Sequence, residues 1–165
     1  PNWFLTLFLV PFVLVGIALI LHIFYRFLAI FNPSPKISLA SSEITIGSRN
    51  KIQWDIPRGA HKIKQFQIFL RGSEQAEYRR GTRTATAHST FYQLELLNTK
   101  DPRESANGST EIILPAHATN LMPSWEGDHN SIIWTLEIKG QIPNWPDISE
   151  SYPVTISAPT LATKS

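Results

Sequence analysis

Cysteine is absent from this sequence, and charged residues are scarce. The missing thiols exclude disulfide bonds, thiolate metal sites and a cysteine nucleophile. Charged residues make up 17% of the chain, and the formal net charge of +2 is too small to indicate a nucleic-acid-binding protein. The sequence begins with Pro1 rather than Met, so we expect either that residues have been removed or that the N-terminal part of a longer protein is absent.

Sequence motifs for the common catalytic sites are also missing. There is no glycine-rich phosphate loop, no dinucleotide fingerprint, no nucleophile elbow and no His-Glu-x-x-His zinc motif. His117 and His129 flank a turn that carries Glu126 and Asp128, so a metal-binding or enzymatic site in the region from His117 to His129 is one alternative. A solvated polar loop is the simpler interpretation, and we expect no enzymatic activity, no cofactor, no metal and no small-molecule substrate.

One long apolar segment, residues 3–24, contains no charged residue. Its length of about 22 residues matches the roughly 20 that a helix needs to cross a bilayer. Sixteen of its residues are Leu, Ile, Val or Phe, which contribute on the order of −7 kcal/mol to membrane insertion. We therefore predict a single transmembrane helix with an interfacial flank over residues 1–31. A cleaved signal peptide is the alternative, but such peptides have a shorter apolar region of about 7–15 residues.

The basic residues nearest to this segment follow it, and none precedes it in the sequence. Arg26, Lys36, Arg49 and Lys51 all lie on its C-terminal side. By the positive-inside rule, this asymmetry places the C-terminal part in the cytoplasm. We expect the membrane to be a bacterial inner (plasma) membrane.

Beyond the apolar segment, the sequence changes to the pattern of an antiparallel β-sandwich. Residues 32–36 contain Pro33 and Pro35, which end the helix and predict an extended linker. From 37 to 157, apolar residues alternate with polar ones and turn signals separate the runs, as in half-buried strands. No helix is predicted in this domain, residues 102–108 are expected to form an exposed loop, and residues 158–165 a flexible tail. The alternating apolar positions are Ile44, Ile46, Ile52, Trp54, Ile56, Phe66, Ile68, Leu70, Tyr92, Leu94, Leu96, Ile132, Trp134, Leu136, Ile138, Tyr152, Val154 and Ile156.

The order of several short segments carries a family resemblance. Ile112-Ile113-Leu114-Pro115 is followed by Pro123-Ser124-Trp125-Glu126-Gly127, then by Ser131-Ile132-Ile133-Trp134, by Trp145-Pro146 and by a last strand near 152–156. This order resembles the N-terminal domain of arrestins, in which a strand ending in Leu-Pro precedes a Pro-Ser-aromatic-Glu-Gly turn. The resemblance implies a single arrestin-like β-sandwich behind the membrane helix.

The first half of the domain is similar to the same family, and the departures limit what carries over. The family's turn and the strands after it are matched here by Ile46-Gly47, Ile52-Gln53-Trp54 and the segment 66–72. The chain has room for one sandwich where arrestins have two, it carries a membrane helix in front, and neither a receptor-phosphate sensor nor a Pro-Pro-x-Tyr motif is present. The resemblance therefore implies the fold and a general scaffolding role, without a particular partner.

Five residues are candidates for contact with a protein partner or with lipid. Trp125 and Trp145 lie in connections, where each either caps the sandwich or forms an exposed contact patch. Arg79, Arg80 and Arg83 form a basic segment that either contacts anionic headgroups or an acidic partner, or belongs to a solvated hairpin without a partner. We predict a membrane-anchored, non-catalytic scaffold or accessory subunit of a larger membrane complex. The alternative functions are a lipid-surface or trafficking adaptor and the metal-binding or enzymatic domain described above.

Overall fold

A computed structural model describes residues 2–81, 83–116 and 121–159, without the side chains of Arg80 and Arg83. The predicted fold class is confirmed: an N-terminal helix precedes a domain built of β-strands. The predicted tail, 158–165, lies outside the described residues from 160 onward. The elements are α1 Trp3–Leu28, β1 Lys36–Leu39, β2 Glu43–Thr45, β3 Arg49–Asp55, β4 Gln65–Arg80, β5 Arg83–Thr99, α2 Pro102–Ala106, β6 Asn107–Ile113, β7 Trp125–Glu126, β8 Asn130–Gln141 and β9 Ile148–Ser157.

Helix α1 has no buried residue along its whole length. Together with the 3₁₀ turn Ala29–Phe31, it forms one stretch of 29 residues that is long and apolar enough to cross a membrane. The 26 residues of α1 span about 39 Å, which exceeds the roughly 30 Å of a bilayer's hydrocarbon core. The helix ends where Asn32 turns extended and the two prolines follow.

The strands form two sheets that pack face to face. One sheet has the order β1-β3-β6, and the other has the order β2-β9-β8-β4-β5, with β7 added on the first residues of β8. All neighbouring pairs are antiparallel except β2 and β9, which are parallel. The two inner faces share one apolar core, because residues of β3 and β6 lie in the same buried cluster as residues of β4, β8 and β9.

Two tryptophans occupy the centre of this core, as their strand positions predict. Trp134 is 1% exposed and Trp54 is 5% exposed. Each indole N–H finds a backbone acceptor, since Trp134 Nε1 donates to the Met122 carbonyl at 2.8 Å and Trp54 Nε1 donates to the Glu104 carbonyl at 3.0 Å. The core therefore gains the apolar area of two large rings without leaving their polar atoms unpaired.

The expectation of an exposed loop at 102–108 is wrong. Residues 102–106 form the short helix α2, and β6 begins directly after it at Asn107. Asp101 caps the helix by accepting a hydrogen bond from the Arg103 N–H at 2.8 Å, and Pro102 stands in the first turn, where its missing N–H costs nothing. A single turn is too short to show a helical period in the sequence, so its capping signals were the only available indication.

Strands β4 and β5 form a long hairpin with two bulges. The register shifts between Ile68 and Phe69 and again between Gly72 and Ser73, so that Leu96 and Phe91 on β5 have no partner residue on β4. The second bulge turns Phe91 and Tyr92 toward the core, where both rings lie near the Trp134 ring, with centroid distances of 5.5 and 5.4 Å. Gly72 is the β4 residue beneath this aromatic group.

Replacing Gly72 by Ala is expected to destabilise the sandwich by about 1–3 kcal/mol, the usual cost of overpacking a core. The added Cβ would lie 2.7 Å from Phe91 Cζ and 3.1 Å from Trp134 Cη2. Urea unfolding of the full chain in detergent, followed by tryptophan fluorescence, measures the change. Ser149→Ala, at an exposed strand position, is the control and should leave stability nearly unchanged. If the clash is the cause, Phe91→Leu recovers part of the loss in the Gly72→Ala background; unchanged stability in Gly72→Ala contradicts this packing.

Candidate functional site

The linker between helix and sandwich is attached to the sandwich surface. The Pro33 ring lies against Gly59, whose backbone has φ +81° and where an added Cβ would be 2.9 Å from Pro33 Cγ. Asn32 Nδ2 donates a hydrogen bond to the Asp147 carbonyl at 3.2 Å, and Pro35 is buried. Only glycine meets both requirements at position 59, a left-handed backbone and a close neighbour. The end of the helix is therefore held beside one end of the sandwich, which we call the proximal end.

Two cavities flank Pro33 at the proximal end. The first, about 450 Å³, lies between the linker and the β3–β4 connection and carries the basic side chains of Lys36, Arg58 and Lys62 together with His61. The second, about 440 Å³, is more apolar and lies between the linker and the β8–β9 connection. Phe31, Pro33 and Lys62 line both cavities. The second cavity is lined in addition by Ile142, Pro143 and Trp145.

Trp145, one of the candidate contact residues, belongs to this proximal end. Its side chain is half-buried and packs against the core cluster while it also lines the second cavity. A tight turn holds it in place, because Trp145 N–H donates to the Ile142 carbonyl at 3.2 Å and Asn144 adopts a left-handed φ of 57°. Trp145 thus covers the end of the core and presents the rest of its ring next to the helix terminus.

The other candidate residues lie at the opposite, distal end of the sandwich. Trp125 on β7 is 56% exposed, and its ring covers Gly127, where an added Cβ would lie within 2.7 Å of ring carbons. Arg79 lines a cavity of about 460 Å³ with Tyr78 and His129 near the tip of the β4–β5 hairpin. Arg80 and Arg83 face each other across the last pair of that hairpin, and their side chains lie outside the described part.

The five candidate residues therefore do not form one surface. Strand β4 begins beside the proximal end, because Lys64 N–H donates to the Gln141 carbonyl, and it ends at Arg80. At about 3.3 Å per residue, its 16 residues separate the two ends by roughly 50 Å. Trp145 and the basic segment at 79–83 cannot contact the same small ligand or the same patch of a partner.

Of the two histidines of the possible metal-binding or enzymatic site, His117 lies outside the described residues. His129 lies on the distal end, where its carbonyl accepts a hydrogen bond from the Glu77 N–H at 2.7 Å. Within residues 2–81, 83–116 and 121–159, no group of three His, Asp or Glu side chains is placed to hold a metal ion. The residues of this alternative that the structure describes show no assembled metal site.

The sequence alone does not identify the group of basic residues around the first cavity, although Lys36 is named for its position after the apolar segment. Pro57-Arg58-Gly59 has the composition of a turn, and the same connection also holds His61 and Lys62. The sequence signal for this group is a local excess of positive charge in residues 58–64. These residues lie beside Lys36 and the helix end because the linker packs on the sandwich, and no local sequence pattern reveals that packing.

Comparisons with known proteins find a similarity in structure to a solved protein. No protein-family model matches the sequence, and a search of curated proteins finds no match. The crystal structure of Spo0M, sporulation control protein, from Bacillus subtilis is similar to this chain with a TM-score of 0.46 and 13% sequence identity. The match covers 76% of this chain and 49% of that protein, so the chain spans about half the length of Spo0M. A similarity at this level carries no functional argument.

Tyr152→Phe is expected to weaken the proximal end and to change how stability depends on alkaline pH. The Tyr152 hydroxyl is hydrogen-bonded to the Glu150 carboxylate and lies 3.4 Å from the Pro35 carbonyl. Burial, the hydrogen bond with Glu150 and its negative charge raise the Tyr152 pKa from 10.0 to about 12. Because the folded state favours the neutral phenol, this contribution is complete below about pH 10 and is lost as the pH rises through 12.

Urea unfolding of the full chain in detergent between pH 7 and pH 12 tests this expectation. The variant should lose about 1 kcal/mol at neutral pH, the net value of one hydrogen bond, and should show a shallower decline above pH 10. Tyr92→Phe is the comparison, since burial alone raises the pKa of Tyr92. An alkaline decline that is equally steep in wild type and Tyr152→Phe contradicts the role assigned to Tyr152.

Proposed function

We propose that this chain is a membrane-anchored, non-catalytic binding module, in which α1 spans a bilayer and holds the sandwich at its surface. The observation that carries the proposal is an apolar helix in which the described part of the chain buries no residue. Burying a Leu, Ile, Val or Phe side chain is worth roughly 1.5–3 kcal/mol relative to water. A helix with so many of these residues is stable only where lipid or another apolar helix covers it.

Anchoring is tested by membrane fractionation of the full chain. Wild type is expected to stay in the membrane pellet after extraction with alkaline carbonate. Val13→Arg/Leu14→Arg should release it, because each Arg at the centre of a span costs about 3 kcal/mol and the pair cancels most of the insertion energy. Gln53→Arg/Ser149→Arg adds the same charge at exposed strand positions and should leave the protein in the pellet. Recovery of a soluble product shortened at its N-terminus contradicts the span and supports a signal sequence.

The sandwich offers a partner one long free edge. Strand β5, with 17 residues, pairs with β4 on one side and with no strand on its other side among the described residues. Residues 84–94 contain no Asp, Glu, Lys or Arg, although exposed edges usually carry such charges to prevent pairing with other chains. These features support β5 as the place where an extended segment of a partner protein adds to the sheet. The partner that we propose is a component of a larger membrane complex.

A lysine pair on this edge is expected to abolish partner binding while the fold remains intact. Thr86→Lys/Thr90→Lys places two charges on exposed positions of β5, whereas Gln53→Lys/Thr155→Lys places two on exposed positions of strands that have neighbours on both sides. A photo-crosslinker at Ser89 should form one product of defined mass in wild type and in the control, and should lose it in the edge variant. Products that are equal in all three, with equal unfolding curves, contradict β5 as the docking edge.

The position of the three arginines in the fold disfavours one of the alternative functions. A lipid-surface adaptor that uses Arg79, Arg80 and Arg83 requires these residues near the bilayer, but the hairpin carries them roughly 50 Å along β4 from the helix end.

The proposed arrestin-like identity of the sandwich rests on the order of its sequence segments. The strand ending before Leu114-Pro115, the Trp125 connection and the closing strand β9 stand in the order that this resemblance implies.

A further inference from the structure

The first proximal cavity, which we call the proximal basic groove, has a mixed chemical character. Lys36, Arg58, His61 and Lys62 contribute cationic or titratable side chains, and all four residues are exposed. Phe31 and Pro33 contribute an apolar wall from the linker side. Because Gly59 fits tightly against Pro33, the loop that carries Arg58 and Lys62 is fixed relative to the end of the helix.

The positive charge of the groove is not cancelled by ion pairs. The ion pairs in the described part of the chain are Arg49–Glu111, Arg71–Glu137 and Lys139–Glu137, and none includes a groove residue. Three carboxylates lie nearby: Asp55 stands opposite Lys36 in the β1–β3 register, Asp147 accepts a hydrogen bond from the Ile142 N–H at 3.1 Å, and Glu150 is hydrogen-bonded to the Tyr152 hydroxyl beside Pro35. Two of these carboxylates are therefore already engaged, one by a backbone N–H and one by a phenol, and none of the three forms an ion pair with a groove residue.

An apolar cavity continues from the groove on the other side of Pro33. It is lined by Ile142 and Trp145, and Lys62 stands between the two cavities. A free inorganic phosphate needs cationic groups but makes no use of an adjoining apolar cavity. A phospholipid needs both, because its phosphate is joined through glycerol to acyl chains.

The position of the groove relative to the end of the proposed membrane span also fits a phospholipid. Phe31, which lines both cavities, is the last residue of the apolar stretch. Residues at the end of a membrane span lie at the level of the headgroups, where clusters of Lys and Arg attract anionic lipids. Trp145 suits this level as well, because an indole ring has an apolar body and a polar N–H.

We propose that the proximal basic groove binds the phosphate-bearing headgroup of an anionic phospholipid from the leaflet at the C-terminal end of α1. Lys62 and Arg58 contact the phosphate, Lys36 adds long-range attraction, and the first acyl carbons enter the cavity beside Trp145. This inference rests on the proposed membrane anchoring. It assigns the lipid contact to the proximal end and leaves the arginines at the hairpin tip free of that role.

The test uses the full chain in detergent, titrated with phosphatidylglycerol or phosphatidylcholine and observed by native mass spectrometry. Wild type is expected to retain phosphatidylglycerol in preference to phosphatidylcholine. Lys36→Gln/Arg58→Gln/Lys62→Gln should lower this preference on the order of 100-fold, because each basic residue near an anionic surface contributes roughly fivefold. Arg49→Gln/Lys51→Gln/Arg79→Gln removes the same charge from positions away from the groove and should keep the preference.

Inorganic phosphate and glycerophosphoglycerol, a headgroup without acyl chains, are used as competitors to identify the source of the phosphate. Weak competition by both supports a lipid, whereas competition as strong as that of phosphatidylglycerol overturns the lipid assignment. Equal loss of preference in the two triple variants, or no preference in wild type, also overturns it. Carbonate extraction of the groove variant separates this result from anchoring, because a protein that stays in the pellet without selecting anionic lipid refutes only the groove.

Discussion

The rest of this structure depends on one constraint, which is that the apolar helix α1 is not buried by the described part of the chain. The sandwich closes its own core around Trp54 and Trp134, and no residue of α1 is buried against the described part of it. Covering the helix in water would require a second protein surface of about the same length. The 39 Å of α1 instead match the thickness of a bilayer, and this match gives the molecule a preferred direction. One end of the sandwich is next to the helix terminus, and the other is far from it.

The linker converts this direction into a fixed orientation. A flexible connection of five residues would let a folded domain turn freely relative to the helix. Here, Pro33 packs on Gly59, Asn32 is bonded to the Asp147 carbonyl, and Pro35 is buried near Tyr152. Each contact is small, but all three belong to one short linker, so a reorientation of this linker on the sandwich breaks several of them at once. On the proposed function, the residues at the level of the membrane surface are therefore the ones around the two proximal cavities.

The sequence determined the class of the fold and much of its core, but not the composition of its surfaces. Alternating apolar residues place Trp54 and Trp134 inside because a strand has a side-chain period of two. The same rule holds for Tyr92 but fails at its neighbour Phe91, because a bulge turns both residues toward one face, and bulges have no reliable sequence signature. It also fails for α2, a single turn without a period.

The sequence shows which residues form the core, but it does not show which of the candidate surface residues lie together. Trp125 and Trp145 are both tryptophans in connections, yet they lie at opposite ends of the sandwich because β8 and its neighbours run the full length between them. The proximal groove is formed by the linker and the β3–β4 connection, and the cavity beside it adds the β8–β9 connection. Such surfaces depend on strand pairing over long sequence distances, which residue patterns taken one segment at a time do not encode.

On the proposed function, the separation of the two ends also constrains the partner. If the proposed lipid contact occupies the proximal end, a protein that pairs with β5 reaches the edge between the helix end and the hairpin tip. Residues 84–94, the stretch without charge, begin at the tip and extend past the middle of β5, because β5 starts at Arg83 and returns toward the proximal end. The distance of this edge from the helix end is set by the length of β4 and β5 along the sheet. A partner that fits must therefore present an extended segment outside the bilayer, as a membrane protein with its own extramembrane domain can do.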